Sequence, residues 1–176
     1  LPSQFMENYA LEKEWLDTWA THYQTGETIP QEYIDKIKRS SNFQSGYASE
    51  RQLSFGMVDM AWHTITAPVT EPLVDFEQRA MGRTEIMPIV KGTAFCPAFG
   101  HIFAGGYAAG YYGYKWAEVL DADAFAHFKQ HGIFDRATAE SFRREVLEKG
   151  ASENPMTLYK RFRGQEPTVD ALLERS

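Results

Sequence analysis

The stretch GGYAAGYYGYKWAEVLDADAFAHFKQHG, residues 105–132, decides the fold of this 176-residue chain. Two glycines open it, and a long run without proline follows from Tyr107 to His131. Gly132 is a natural end for a helix, because glycine readily adopts the left-handed backbone that follows a last helical turn. The stretch therefore predicts a glycine-rich turn that leads into one long helix over about 107–131.

The rest of the chain carries the same helical signature. Apolar residues recur three or four positions apart between prolines and glycines, which is the spacing of one helix face. These patterns predict helices over about 5–23, 30–42, 45–64, 73–82, 135–149, 152–162 and 169–175. Residues 85–103 contain scattered prolines and glycines and predict a loop, with one short strand at 86–90. The expected fold class is all-α, with at most one short strand pair near 85–90.

Charge and composition exclude several classes of partner. The formal net charge is −6, and phosphate binding needs a basic face, so we expect no nucleic-acid partner. No apolar run approaches the roughly 20 residues that a bilayer-spanning helix needs, so we expect no membrane partner. The single cysteine, Cys96, precedes His101 by five residues. A nucleophilic thiol is one interpretation of Cys96, and an inert buried thiol is the interpretation that we favour.

The segment HIFAGGYAAGYYGY, residues 101–114, concentrates candidate functional groups. If the helix starts near Tyr107, then Tyr107, Tyr111 and Tyr114 lie at positions i, i+4 and i+7 on one face. His101 precedes them by a short loop, and the intervening glycines let backbone approach a ligand closely. Phenol and imidazole donors suit the stabilisation of an oxyanion in a tetrahedral intermediate. An aromatic helix face packed in a core is the alternative, and the segment alone does not separate the two.

Two other features have a functional and a structural interpretation. His127 and His131 have the i, i+4 spacing of a zinc-binding helix, but no glutamate lies between them and Lys129 would sit beside the metal. An interaction with the dipole at the helix C-terminus is the interpretation that we favour. Glu7 lies on the first predicted helix, where an acidic residue is favoured near the N-terminus. A polar group near a functional site is the alternative for Glu7.

Three separated stretches resemble the thimet oligopeptidase and peptidyl-dipeptidase family of zinc metallopeptidases. They are PSQFMENYA (2–10), FGHIFAGGYAAGYYGYKWAEVL (99–120) and FRREVLEKGASENPMTLYKRFRGQEP (142–167), in the family's order. The middle stretch looks closest to the bacterial peptidyl-dipeptidase branch, which releases dipeptides from the C-terminus of its substrates. The resemblance implies a mostly helical, two-lobed protein with a deep substrate channel. Residues 1–176 would form a single C-terminal part of its catalytic lobe.

The resemblance also implies roles for individual residues. Tyr114 matches the tyrosine that stabilises the oxyanion, and His101 and Tyr107 match the residues that assist it at the catalytic centre. The other matched positions are the substrate-binding residues Tyr111, Gly105 and Gly106, and Glu7 as a group that orients a zinc-binding histidine.

The metal and the partners follow from the same resemblance. It implies one zinc ion, held by a His-Glu-x-x-His helix and a glutamate. Both of these ligand segments, and the N-terminal lobe, would lie upstream of Leu1. We therefore expect no zinc bound to this chain alone and no activity from it alone. The expected partners are short peptides and the absent N-terminal portion. The expected location is cytoplasmic, with a periplasmic one left open because a signal sequence would lie upstream. The alternatives are a non-catalytic peptide-binding helical module and a purely structural helical subdomain.

Overall fold

The computed structural model describes residues 1–175 as helices joined by turns. The α-helices are α1 (Pro2–Glu7), α2 (Lys13–Leu16), α3 (Gln31–Ser41), α4 (Ser45–His63), α5 (Leu73–Met81), α6 (Gly100–Phe103), α7 (Gly113–His131), α8 (Arg136–Phe142), α9 (Pro155–Arg163) and α10 (Asp170–Arg175). Short 3-10 turns lie at Asn8–Leu11 and Cys96–Ala98, and a π-helical turn, Arg143–Leu147, continues α8. This architecture confirms the all-α class.

Residues 86–90, where a short strand was expected, contain no strand. Pro88 lies in the middle of this segment and has no N–H to donate to a neighbouring strand. The β-pairing found between residues 1 and 175 is an isolated antiparallel bridge between Thr21 and Thr28. Within the same residues, no helix is both long enough and apolar enough to cross a membrane.

The first helix is shorter than its apolar spacing predicts. It ends at Glu7 rather than near Tyr23. The side-chain amide of Asn8 donates to the carbonyl oxygens of Gln4 (3.2 Å) and Phe5 (3.0 Å). Such local side-chain bonds compete with the backbone bonds of a continuing helix, and the chain goes on as a 3-10 turn instead.

Capping groups at the later helices agree with the sequence. The carboxylate of Asp135 accepts a hydrogen bond from the Thr138 amide at 2.7 Å and begins α8 as predicted. The Asn154 side chain caps α9 in the same way, and Pro155 occupies the first turn, where its missing N–H is harmless. Gly164, with φ +82°, ends α9 in the left-handed conformation that glycine adopts readily.

The described chain divides into two compact units. We call residues 1–42 with 116–175 the terminal unit, and residues 43–115 the central unit. The prediction that the whole chain is a single part of one catalytic lobe stays a prediction.

The terminal unit is built around aromatic rings. Phe5 stacks on Phe142 with ring centroids 4.4 Å apart, and Phe128 lies 5.0 Å from Phe5. Burial of such large rings is the main source of its stability. The buried core residues of this unit are Phe5, Ala124, Phe125, Phe128, Ile133, Phe142, Tyr159 and Phe162.

The central unit has its own apolar core between α4, α5 and the segment that contains α6. Phe55, half-buried on α4, stacks on Phe95 at 4.6 Å and contacts Phe99 at 5.5 Å. This packing holds the irregular chain around residues 95–111 against two regular helices. The buried core residues are Val58, Phe76, Met81, Cys96, Phe99, Ile102 and Tyr111.

Candidate functional site

The candidate site lies in the central unit, on the segment that joins α6 to α7. α6 carries His101, and the chain then turns sharply at two glycines. A Cβ atom at Gly105 would lie 3.0 Å from both the Cα and the carbonyl oxygen of His101, so the turn needs glycine there. Gly106 has φ +80°, a left-handed conformation that favours glycine. These two residues return the chain toward His101, and the Tyr107 amide donates to the His101 carbonyl at 3.1 Å.

The expected long helix begins at Gly113 and not at Tyr107. Ala109 has φ +52°, which is incompatible with a right-handed helix, and Gly110 and Gly113 weaken helical order further. Residues 108–112 therefore form consecutive turns. The i, i+4, i+7 argument for Tyr107, Tyr111 and Tyr114 was wrong about their backbone.

These turns nevertheless bring the predicted aromatic residues together. The rings of Tyr107 and Tyr114 stack with centroids 5.0 Å apart. The His101 ring lies 5.9 Å from Tyr107, 5.7 Å from Tyr111 and 6.2 Å from Tyr114. We call His101, Tyr107 and Tyr114 the aromatic cluster. His101 and Tyr107 are exposed and Tyr114 is half-buried, so the polar ends of the cluster can be reached by a ligand.

The Tyr114 phenol of the aromatic cluster remains protonated at neutral pH. The hydrogen bond with Tyr107, and then burial, raise the pKa of Tyr114 to about 12. A raised phenol pKa means that the folded state favours the neutral form, so Tyr114 loses its proton only well above the physiological range. Tyr114 is therefore a neutral phenol at neutral pH and can donate a hydrogen bond.

Tyr111 faces the interior. Its side chain is only 8% exposed, and its hydroxyl donates to Gln52 Oε1 at 3.0 Å. Burial raises its pKa. Its ring lies 5.0 Å from Tyr114 and so supports the aromatic cluster from the core side. Its predicted contact with substrate stays a prediction.

Two buried carboxylates fix the irregular segments of this unit. Asp59 on α4 accepts hydrogen bonds from the amides of Ala109 and Tyr111, both at 2.9 Å. Glu77 on α5 accepts from the amides of Phe95 (3.0 Å) and Cys96 (2.6 Å). Charged acceptors make backbone hydrogen bonds of this kind about twice as strong as neutral ones.

Sequence reasoning missed both carboxylates. Their helices were inferred from apolar spacing alone, which gives charged residues no role. One signal was available: Asp59 interrupts the apolar stretch 57–62 and precedes His63 by four residues. An acidic residue inside an apolar helix face, with a histidine one turn later, suggests a buried polar contact.

Cys96 is a free thiol in the core and is not placed for nucleophilic chemistry. It is 2% exposed, and Trp62 donates its indole N–H to the sulfur at 3.1 Å. Burial is the main cause that raises the pKa of the Cys96 thiol to about 11. The protonated thiol is a poor nucleophile, which agrees with the interpretation as an inert buried cysteine.

His127 and His131 lie on α7 in the terminal unit. His131 Nδ1 is 2.9 Å from the carbonyl oxygen of His127, a contact within the last turn of the helix. Burial lowers the pKa of His127, and the nearby Arg163 lowers it further. Among residues 1–175, no three histidine, cysteine, aspartate or glutamate side chains converge as metal ligands would.

Glu7 is the last residue of α1 and is exposed. The helix dipole disfavours a negative charge at this end, so the dipole does not explain the residue as we had inferred. Its predicted role in orienting a zinc-binding histidine stays a prediction.

Comparisons with a family model and with individual known proteins agree on one family. The model of Peptidase family M3 matches residues 1–176. Oligopeptidase A of Escherichia coli (strain K12) is 46% identical over 179 residues, which cover 99% of this chain and 26% of that protein. Dipeptidyl carboxypeptidase of Salmonella typhimurium (strain LT2) is 35% identical over 175 residues, covering 98% of this chain and 26% of the relative. Saccharolysin of Saccharomyces cerevisiae is 32% identical over 176 residues, covering 98% and 24%.

These values refine the resemblance inferred from sequence. The identity to oligopeptidase A exceeds that to dipeptidyl carboxypeptidase, so the proximity to the peptidyl-dipeptidase branch inferred from one motif is corrected in favour of oligopeptidase A. The motif misled because it is short, whereas the identities cover nearly the whole chain. The chain spans about a quarter of the length of these relatives.

Proposed function

Because the chain belongs to peptidase family M3, we propose that it forms part of a zinc metallopeptidase that hydrolyses oligopeptides. One observation carries the proposal: the aromatic cluster presents two phenols and an imidazole on one accessible surface. The names of the relatives, oligopeptidase A and dipeptidyl carboxypeptidase, support a peptide as substrate.

Tyr114 has the properties of an oxyanion donor. When water attacks a peptide carbonyl, the carbon becomes tetrahedral and its oxygen gains negative charge. A neutral phenol that donates a hydrogen bond to this oxygen stabilises the transition state more than the ground state. The raised pKa, about 12, keeps Tyr114 neutral, as a phenol that donates to an oxyanion must be. Tyr107, hydrogen-bonded to Tyr114, and the ring N–H of His101 assist it.

The residues around the aromatic cluster bind the substrate in this proposal. Gly105 and Gly106 are exposed and carry no side chain, so a peptide backbone can approach them closely. Tyr111 acts from the core side and keeps Tyr114 and His101 in place.

Glu7, in the terminal unit, orients a zinc-binding histidine through a hydrogen bond, as carboxylates outside the ligand shell of zinc sites commonly do.

Zinc is the metal that family membership implies, and the described residues do not fit its site because they contain no converging set of ligands. We propose that one zinc ion is held by an N-terminal portion of the protein outside this chain. The greater length of the relatives supports such a portion. Residues 1–176 expressed alone should then hold no zinc and cleave no peptide.

The products and the location complete the proposal. The higher identity to oligopeptidase A favours cleavage within oligopeptides over release of C-terminal dipeptides. Mass spectrometry of the products of a ten-residue peptide separates the two patterns of cleavage, because only the release of C-terminal dipeptides yields dipeptides throughout.

The proposed location is the cytoplasm. A lone free thiol, Cys96, suits this reducing compartment.

The test is the variant Tyr114→Phe in the complete peptidase. We expect kcat to fall by about 10²–10³ with little change in KM, because the lost bond forms only in the transition state. Tyr112→Phe is the matched control, since Tyr112 is 62% exposed and lies outside the aromatic cluster. An unchanged kcat for Tyr114→Phe would remove its role. A wild-type protein that binds peptides without cleaving them would favour the non-catalytic binding module.

A further inference from the structure

Asp59 lies in the interior of α4 and is fully buried. Each of its two carboxylate oxygens accepts a hydrogen bond from a different amide: Oδ1 accepts from the Ala109 amide and Oδ2 from the Tyr111 amide. Nδ1 of His63, one turn later on α4, is 2.8 Å from Oδ1. A buried carboxylate is tolerated only when its lone pairs are used in this way. All three contacts lie within the central unit.

The two amides that Asp59 holds lie on either side of Gly110, beside a strained residue. Ala109 has φ +52°, a left-handed conformation that residues with a Cβ atom rarely adopt. Such a conformation persists only where the surroundings impose it, and backbone strain of this kind is often found at functional sites. The bonds from Asp59 to residues 109 and 111 supply that constraint.

The strained turn determines where the aromatic cluster sits. Tyr107 precedes Ala109 by two residues and Tyr114 follows Tyr111 by three, and their rings stack at 5.0 Å. Among the hydrogen bonds described, those accepted by Asp59 are the ones that join the backbone of this segment to α4, whereas the Tyr107 amide bonds to the His101 carbonyl. If the bonds to Asp59 were lost, we expect Tyr107 to move relative to Tyr114. In the described part of the chain, the partners of the Asp59 carboxylate are two backbone amides and His63, so Asp59 acts on the aromatic cluster through the backbone.

We propose that Asp59 is a positioning residue for peptide hydrolysis, which holds the 107–111 turn so that the phenols of Tyr107 and Tyr114 face the same reacting oxygen as His101. This inference rests on the proposed function. It gives a part in the reaction to a buried carboxylate of α4 that bonds to backbone amides.

Glu77 provides a matched control. It is also buried, also sits on a helix and also accepts two backbone amides, but these belong to Phe95 and Cys96. Asp59→Asn and Glu77→Gln therefore each remove a carboxylate that accepts hydrogen bonds from two backbone amides, in two different segments. Each carboxamide keeps one acceptor oxygen and turns an NH2 group toward the second amide, which breaks that bond with almost no change in volume.

The experiment combines residue-resolved amide hydrogen exchange with steady-state kinetics on the protein. For Asp59→Asn we expect exchange at Ala109 and Tyr111 to accelerate by about 10-fold to 10²-fold, because a hydrogen bond to a charged acceptor is lost. We expect kcat to fall by about 10²-fold with KM nearly unchanged, since a small misplacement of a transition-state donor has an effect of that size. Glu77→Gln should accelerate exchange at Phe95 and Cys96 and leave kcat within about threefold of wild type.

Two results would overturn the proposal. One is a folded Asp59→Asn variant with unchanged exchange at residues 109 and 111. The other is an accelerated exchange at these amides with an unchanged kcat. If Asp59→Asn does not fold, His63→Ala takes its place, because His63 is partly exposed and contacts Oδ1. It should accelerate exchange at the same two amides by a smaller factor, and no acceleration there would equally count against the proposal.

Failure of the proposed function would look different. A wild-type protein that hydrolyses no peptide removes the reaction and with it the positioning role, whatever the exchange data show. A wild-type protein that hydrolyses peptides, together with a fully active Asp59→Asn variant, removes the positioning role alone.

Discussion

The two units use their buried carboxylates for different purposes. In the terminal unit, Asp123 accepts from the Tyr159 hydroxyl at 2.6 Å and from the guanidinium of Arg163 at 3.1 Å, both side chains of α9. In the central unit, Asp59 and Glu77 accept from backbone amides of irregular segments. The terminal unit thus joins helix to helix, whereas the central unit joins helix to loop.

This difference supports the proposal that the central unit carries the chemistry. Side-chain pairs between regular helices stabilise a scaffold. Carboxylates that hold loops permit strained turns, and the central unit uses them to present the aromatic cluster at its surface. Asp121 fits the same division, since its partners in the terminal unit are the side chains of Asn8 and Arg175.

The largest effect on stability is expected from Asp123→Ala. Asp123 and Arg163 are both largely shielded from solvent, with side chains 4% and 13% exposed. Removing one partner leaves a shielded charge and a buried phenol without their acceptor, which costs about 3–5 kcal/mol. Urea unfolding measures the loss. Glu153→Ala, which breaks an exposed pair with Arg161, should change the midpoint little.

A loss of less than about 1 kcal/mol for Asp123→Ala would place this pair in the class of exposed ion pairs and weaken the contrast between the units.

Two glycine-to-alanine variants should lower stability by a smaller amount and should differ in their effect on kcat. Gly106→Ala in the central unit and Gly26→Ala in the terminal unit both place a Cβ on a left-handed residue, with φ +80° and +74°. Neither Cβ would meet an atom within 4 Å, so the expected cost is backbone strain alone, about 1–2 kcal/mol each. Only Gly106→Ala should also lower kcat, because it moves the turn beside His101. Equal kcat values for the two variants would contradict the account.

Sequence and structure agree best where regular helices are concerned. α4 and α5 begin at Ser45 and Leu73 as their apolar spacing predicts, and Asp135 caps α8. These features depend on local interactions, which a single sequence contains.

The sequence grouped aromatic residues that the structure brings together, but it predicted the wrong backbone for them. A helical spacing grouped Tyr107, Tyr111 and Tyr114, but the turn that unites them depends on Asp59, some 50 positions earlier. Hydrogen bonds between distant residues cannot be read from periodicity. The inward direction of Tyr111, set by Gln52 and the core of α4, was hidden for the same reason.

The most direct test removes one hydrogen-bonded tyrosine hydroxyl from each unit and measures kcat for oligopeptide hydrolysis. Tyr159→Phe deletes a buried hydroxyl that donates to Asp123, and it should reduce the free energy of unfolding by about 1–3 kcal/mol while kcat stays near wild type. Tyr114→Phe should do the reverse and lower kcat by about 10²–10³ at nearly unchanged stability. A Tyr159→Phe variant that loses activity to the same degree, or a Tyr114→Phe variant that keeps it, would contradict the assignment of the chemistry to the central unit.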